Sequence, residues 1–372
     1  MRRSGQWWSV LVGALVLAAV IAAWVTWQSR AAEILVGISV DLPVIYGTAI
    51  NPSDEHAATM FLHETPTSRI ALDRLFVDAD PARAAPDIAA AKRRGVEFFV
   101  LTHASSHAVE ASHLFVDGNA LGILVGATST RLSGQDDYLF RIIPDYRDEQ
   151  RAMAEFVADT AVGSRLLVIQ DTSNLAYTAP AFEVFRDHLD TLADWEITRH
   201  HIDVASFNPV ALQAVLRDDH DALYILAGAF MAPIGNIAQL FNRNHSDAPI
   251  YLTPWAHADA IYENAGDANQ RLHLLSIYPP RAQNAAVDNF LIRFDAMHGY
   301  EPLGMSIGTR QALELFDNAF AAGHTTPTAV KRYLLTTAVH TTSLGDIRFD
   351  SSGDVRGRFH RVTPSTQPVE VP

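Results

Sequence analysis

Histidine spacing is the first feature of this 372-residue chain that invites chemistry. His103 and His107 stand four apart, His113 follows closely, and His200-His201 form a pair. Two imidazoles at i and i+4 on one helix can chelate zinc when a third ligand joins them. The glutamate of an HExxH arrangement is missing, and His103 falls in a predicted loop. Surface or loop histidines are therefore the expectation, and no metal site. Asp136-Asp137 and Asp218-Asp219 pair carboxylates in predicted loops, where they read as solvated surface. No G-x-S-x-G elbow, phosphate-binding lysine loop or dinucleotide glycine triplet is present. These motifs point to no enzyme and to no cofactor. Ser105 and Ser106 offer something else, because they follow an apolar run and open a predicted helix. Hydroxyls and N–H groups at a helix amino terminus can hold an anion. Plain N-capping is the competing account, since serine caps helices everywhere.

The elements that must position these residues alternate between short apolar runs and helical patterns. Strands are predicted over residues 34–40, 70–77, 96–101, 120–126, 165–170, 222–227, 249–253 and 272–277. Helices are predicted over 147–160, 179–192, 209–217, 234–242, 286–297 and 310–322. Several of the strands are continuously apolar, as strands buried on both faces of a parallel sheet must be. Strand–helix repetition of this kind gives right-handed βαβ units and an α/β fold. Lys92, Arg93 and Arg94 before Gly95 mark a cationic last turn and a glycine stop. The start of that helix stays open between Asp80-Pro81 and Pro86. The last residues, 363–372, carry three prolines and little periodicity and read as a loose tail.

Composition narrows the function classes. The chain is 48% apolar and 19% charged, an ordinary globular balance, and its length suits about two domains. Its net charge of −14 argues against nucleic acid as a partner, which demands a basic face. The absence of cysteine removes disulfides, thiolate metal sites and a cysteine nucleophile. Arg2 and Arg3 precede an uncharged apolar run over residues 7–27, with tryptophans at both ends. As a helix it would be roughly 31 Å long, enough to cross a bilayer, with the amino terminus inside. Residues 1–32 are thus expected to be a membrane anchor, retained in the inner membrane. A cleaved signal ending near Ser29-Arg30-Ala31 is the alternative. Either way the remainder faces the periplasmic or extracellular side.

Short motifs spread along the exported part carry a family resemblance. They are Val36-Gly37-Ile38 with Tyr46-Gly47, Asp80-Pro81-Ala82-Arg83-Ala84, Ala104-Ser105-Ser106, and Gly126-Ala127-Thr128-Ser129. Phe140-Arg141 with Pro144, and Gly345-Asp346-Ile347-Arg348-Phe349-Asp350 with Gly353-Asp354, complete the set. In this order the chain from about residue 34 to 362 resembles the type I periplasmic binding proteins. The likeness is to the leucine/isoleucine/valine-binding branch that serves ABC transporters. The resemblance implies two doubly wound parallel-sheet lobes joined by three hinge crossings, preceded here by the amino-terminal apolar helix. It places the crossings near Pro144, Pro279-Pro280 and Leu344. Lobe one then comprises residues 33–144 and 281–343, and lobe two 145–280 and 344–372.

The resemblance also implies a site. Ser105, with Ser106, matches the loop that holds a ligand carboxylate, and Gly126, Ala127 and Thr128 match the turn that supports the same end. Tyr46 resembles an aromatic covering the ligand from lobe one, and Tyr177 one from lobe two, with Thr178 where the family has glycine. Phe230 is a further aromatic expected at the cleft. Packing inside a lobe is the competing role for each of these rings. The amino-acid binders place an ammonium-pairing glutamate where this chain has Pro254-Trp255. Trp255 offers a ring face and one N–H donor, so an aromatic or other small carboxylate competes with an amino acid as ligand. The function implied is a receptor that closes on a small carboxylate-bearing molecule for an ABC permease. A membrane-anchored sensing module signalling to a membrane partner is the alternative.

Overall fold

The computed structural model describes residues 33–363, apart from 42–43, 46–47, 50–51, 79 and 229–231. The expected membrane helix over 7–27 and the tail from 364 therefore lie outside the described residues, as do Tyr46 and Phe230. No described helix is long and apolar enough to cross a membrane.

Two sheets dominate. Strand β1 (Ile34–Asp41) leads through the hairpin β2 (Val44–Ile45) and β3 (Thr48–Ala49) to β4 (Ile70–Val77), β5 (Phe98–Leu101), β6 (Leu121–Leu124) and β7 (Leu139–Arg141). The first sheet has the order β4-β1-β5-β6-β7, and every pairing in it is parallel. The second begins with β8 (Arg165–Asp171), β9 (Glu196–Ile202), β10 (Ala222–Leu226), β11 (Ile250–Leu252) and β12 (Leu272–Ser276). A hairpin of β13 (His340–Thr342) and β14 (Gly345–Ile347) follows, and β15 (His360–Val362) closes the second sheet in the order β15-β12-β11-β10-β8-β9. Only β15 runs antiparallel in that sheet. Such parallel strands form because β5, β6 and β10 are buried along their whole length, with helices covering both faces.

Helix Gly304–Ala321 illustrates how the first core is built. Phe316 and Phe320 lie edge-on to Phe98 at 5.5 and 4.9 Å between ring centres. Such pairs add roughly 0.5–1.5 kcal/mol beyond the area they bury. The ambiguous helix start resolves as a 3-10 turn, Pro81–Arg83, capped by Asp80, running into helix Ala84–Arg93. Pro86 then falls in the first turn, where no intrahelical N–H is needed.

Within the described residues the chain crosses between the two lobes three times. It does so between Arg141 and Tyr146, again through Tyr278–Arg281, and last near Gly357. The third crossing is later than Leu344, where the sequence placed it. Leu344 is buried among Val287, Phe290 and Ile307 of the first lobe, and Ile347 packs under the first sheet. Arg141 N–H donates to Gly353 O at 2.9 Å, so the chain still follows β7 there. Only β15 belongs to the second sheet. At Gly357 the chain passes so close to Pro144 that any side chain would collide with the proline ring. Glycine there lets the first and last crossings touch.

Candidate ligand-binding site

The carboxyl ends of β5 and β6 are neighbours in the first sheet, so the loops that follow them meet. Ser105 ties them together: its buried Oγ accepts from the N–H groups of Thr128 (3.0 Å) and Ser129 (3.1 Å). Its own O–H proton is left to donate. Gly126 permits the approach, because a Cβ there would clash with the Thr102 carbonyl and reach 3.0 Å from Met305 Sδ. Ala127 is buried in the core beneath β5 and β6, and Thr128 is buried beside it. The structure thus brings Ser105, Gly126, Ala127 and Thr128 into one double loop. Gly126→Ala should cost about 1–3 kcal/mol by forcing that loop apart, which denaturant unfolding would register.

His103 lies in the loop before helix Ser105–Ala111, as expected, and His113 and His201 are exposed, but His103 and His107 are packed into the loop rather than solvated. His103 is buried, with Nδ1 at 2.9 Å from Ser39 Oγ. Burial, reinforced by the neighbouring His107, lowers its pKa to about 3, so the ring is neutral. His107 Nε2 lies 2.8 Å from Asp78 O, and burial lowers its pKa as well. Both rings serve to hold the loop. Among the described residues no group of three or more His, Asp or Glu side chains is arranged to hold a metal.

Ser106 leaves the double loop and reaches the second lobe. Its N–H and O–H both donate to Asn174 Oδ1 at 3.1 Å, and its Oγ accepts from Ala176 N–H at 3.4 Å. Asn174 ends the turn after β8, a Thr-Ser-Asn cluster that could have flagged it as a helix cap at a strand's carboxyl end.

Tyr177 is in the second-lobe core and not on the cleft. It is 1% exposed, and its hydroxyl donates to Glu149 Oε1. Gln150 Nε2 donates to the same oxygen at 2.7 Å, while Tyr224 O–H donates to Gln150 Oε1 at 2.9 Å. Burial outweighs these donors and pushes the Glu149 carboxyl up to about 7. Its Oε2 has no partner at hydrogen-bond distance, although the Trp255 indole is near enough to lower the carboxyl's pKa. Thr178, where a glycine was expected, is accommodated by donating its hydroxyl to Asp171 O at 2.6 Å.

Trp255 sits in the 3-10 turn Pro254–Ala256 after β11 and lines a cavity of about 340 Å³. Val125, Met305 and Ile307 line it from the first lobe, Trp255 from the second, and Tyr278 from the hinge. Arg281 and Glu301 at its edge are paired to each other at 3.5 Å, and Arg281 also holds Asp288 at 2.6 Å. A volume of this size is at the lower end of small-molecule sites, which run from roughly 300 to 1,000 Å³. Val125 directly precedes Gly126, so the cavity ends beside the double loop, although Ser105, Ser106, Gly126, Ala127 and Thr128 do not themselves line it. Met305 was invisible to sequence reasoning, because the helix it opens shows apolar periodicity only from Arg310 onward.

No protein-family model matches this chain, and no curated protein does. Solved structures match it along most of its length. A leucine-binding protein from Thermotoga maritima superposes with a TM-score of 0.76 at 19% identity, over 89% of this chain and 95% of that one. A branched-chain amino acid transporter substrate-binding protein from Streptococcus pneumoniae, in complex with isoleucine, gives 0.75 at 17%, over 89% and 96%. A solute-binding protein of an ABC transporter from Rhodopseudomonas palustris, in complex with 3,4-dihydroxybenzoic acid, gives 0.75 at 14%, over 88% and 92%. The chain therefore has the two-lobed α/β fold of the type I periplasmic binding proteins.

Proposed function

We propose that this protein is a non-catalytic, extracytoplasmic receptor that closes on a small carboxylate-bearing ligand and presents it to an ABC-type permease. The observation that carries this reading is the cavity walled by both lobes and the hinge at the carboxyl ends of the strands. Ligands of open α/β sheets sit at that end, and closure about a hinge buries them. The solved structures with this fold include binders of isoleucine and of 3,4-dihydroxybenzoic acid. The ligand's apolar body lies against Trp255, Tyr278 and Met305, with Tyr46 and Phe230 covering it. Its carboxylate meets the Ser105 O–H and the Thr128 hydroxyl at the double loop. Within this reading the chain belongs to the leucine/isoleucine/valine-binding branch, and residues 7–27 anchor it in the inner membrane beside its permease.

A thermal-shift screen of residues 32–372 against leucine, isoleucine and hydroxybenzoates tests it. At about a hundred times its Kd a true ligand adds roughly 2.7 kcal/mol of apparent stability. Trp255→Ala and Thr128→Val should each abolish most of the shift. If no compound moves the melting temperature, even after refolding to strip bound ligand, the reading is wrong.

A further inference from the structure

Two helices face each other across the lobes, and each lacks a cap of its own. Helix Ser105–Ala111 is preceded by Ala104, which has no side chain to cap it. Helix Leu175–Leu189 is preceded by Asn174, whose side chain makes no bond to its own helix. Each helix is capped instead by the other lobe. Asn174 Oδ1 accepts from the N–H of Ser106, the second residue of the first-lobe helix. Ser106 Oγ accepts from the N–H of Ala176, the second residue of the second-lobe helix. Those are the N–H groups a normal N-cap satisfies. The Ser106 O–H closes the exchange by donating to Asn174 Oδ1.

The sequence supports this geometry at one more point. Gly228, two residues past the end of β10, lies against Asn174, and a Cβ there would stand 2.8 Å from Asn174 Nδ2 and 3.0 Å from the Tyr177 ring. The missing side chain leaves room for the Asn174 amide to turn its carbonyl toward Ser106. Asn174 is buried, so the exchange takes place out of bulk water.

We propose that Ser106 and Asn174 form a reciprocal capping clasp that holds the lobes closed without any ligand. The inference rests on the two-lobed receptor reading. It removes Ser106 from the ligand's contacts and makes it a positioning residue. Neither Ser106 nor Asn174 lines the cavity beside Trp255, so clasp and occupant coexist. Opening exposes two uncapped helix ends at once. A lost cap shifts an equilibrium by roughly fivefold, and two together by more than tenfold. The clasp should therefore slow release of whatever the cavity holds.

The chain has no cysteine, so spin labels can be placed at will. Val116→Cys and Val162→Cys put them at exposed positions in opposite lobes. Double electron–electron resonance without ligand should give a single narrow distance in the otherwise unaltered protein. Asn174→Ala and Ser106→Ala should each move part of the population to a second, open distance, and their combination, which removes both caps, should move more. Asn174→Asp keeps an acceptor for both donors, places negative charge at a helix amino terminus, and should restore the closed distance. Circular dichroism confirms that each variant is folded. An Asn174→Ala distribution superimposable on the parent overturns the clasp. The ligand screen is scored separately: if it fails while these variants still open, the receptor reading falls and the clasp stands. A ligand-stabilised protein whose label distance ignores Asn174→Ala keeps the receptor reading and loses the clasp.

Discussion

Replacing Glu149 with glutamine should stabilise the protein by about 3 kcal/mol at pH 8 and leave it nearly unchanged at pH 5. The carboxyl is fully buried, and burial pushes its pKa from the ordinary 4.5 up to about 7. Between those values the folded protein keeps a proton that the unfolded chain has released. Stability therefore falls as pH rises from about 4.5 to about 7, at 1.36 kcal/mol per pH unit for one proton. Above pH 7 the full cost is present, because the folded protein then carries an uncompensated buried charge. Glutamine copies the protonated form: its carbonyl still accepts from Tyr177 and Gln150, and it never ionises. Urea unfolding of both proteins at pH 5 and pH 8 reads the difference. A constant offset at the two pH values would show that the Glu149 carboxyl does not titrate in this range.

That buried network also shows where reading the sequence succeeds and fails. Tyr177, Ala181 and Phe185 follow at four-residue intervals on one helix, and all three are buried. The periodicity alone assigns Tyr177 to the core, yet the family resemblance drew it toward the ligand. Strand β4 coincides with its predicted range, and β1 and β10 differ from theirs by one residue, because these runs are apolar and bounded by turn residues. Strand β9 escaped notice because it is an edge strand carrying Glu196, Arg199, His200 and His201, with exposure along its length. That Ser105 and Gly126–Thr128 lie in loops was legible, because each comes within a few residues of the end of a buried strand. Asn174 could not be paired with Ser106 from sequence: they are 68 positions apart, and only the closing of two lobes joins them.

The second large effect is expected at the other end of the double loop. Arg141 is 2% exposed at the end of β7, and its guanidinium donates to Asp354 Oδ1 at 2.6 Å, to Ser129 O at 3.0 Å and to Ser133 Oγ. Asp354 comes from the last pass of the chain over the first lobe and also accepts from Gly134 N–H at 3.2 Å. The ion pair therefore pins the 129–134 loop, whose first residue donates its N–H to Ser105. Asp354→Ala leaves a buried guanidinium without its counter-charge, and breaking one side of a buried pair costs about 3–5 kcal/mol. The loss should appear in urea unfolding and be strongly non-additive. Arg141→Ala combined with Asp354→Ala should cost little more than the worse single change, because the stranded charge has gone. Ligand affinity should fall along with stability in Asp354→Ala, since Ser129, Thr128 and Ser105 share one set of hydrogen bonds. Simple additivity in the double-mutant cycle would mean the pair contributes nothing beyond its separate side chains, and the loop would then owe its shape to Gly126 and Ser105 alone.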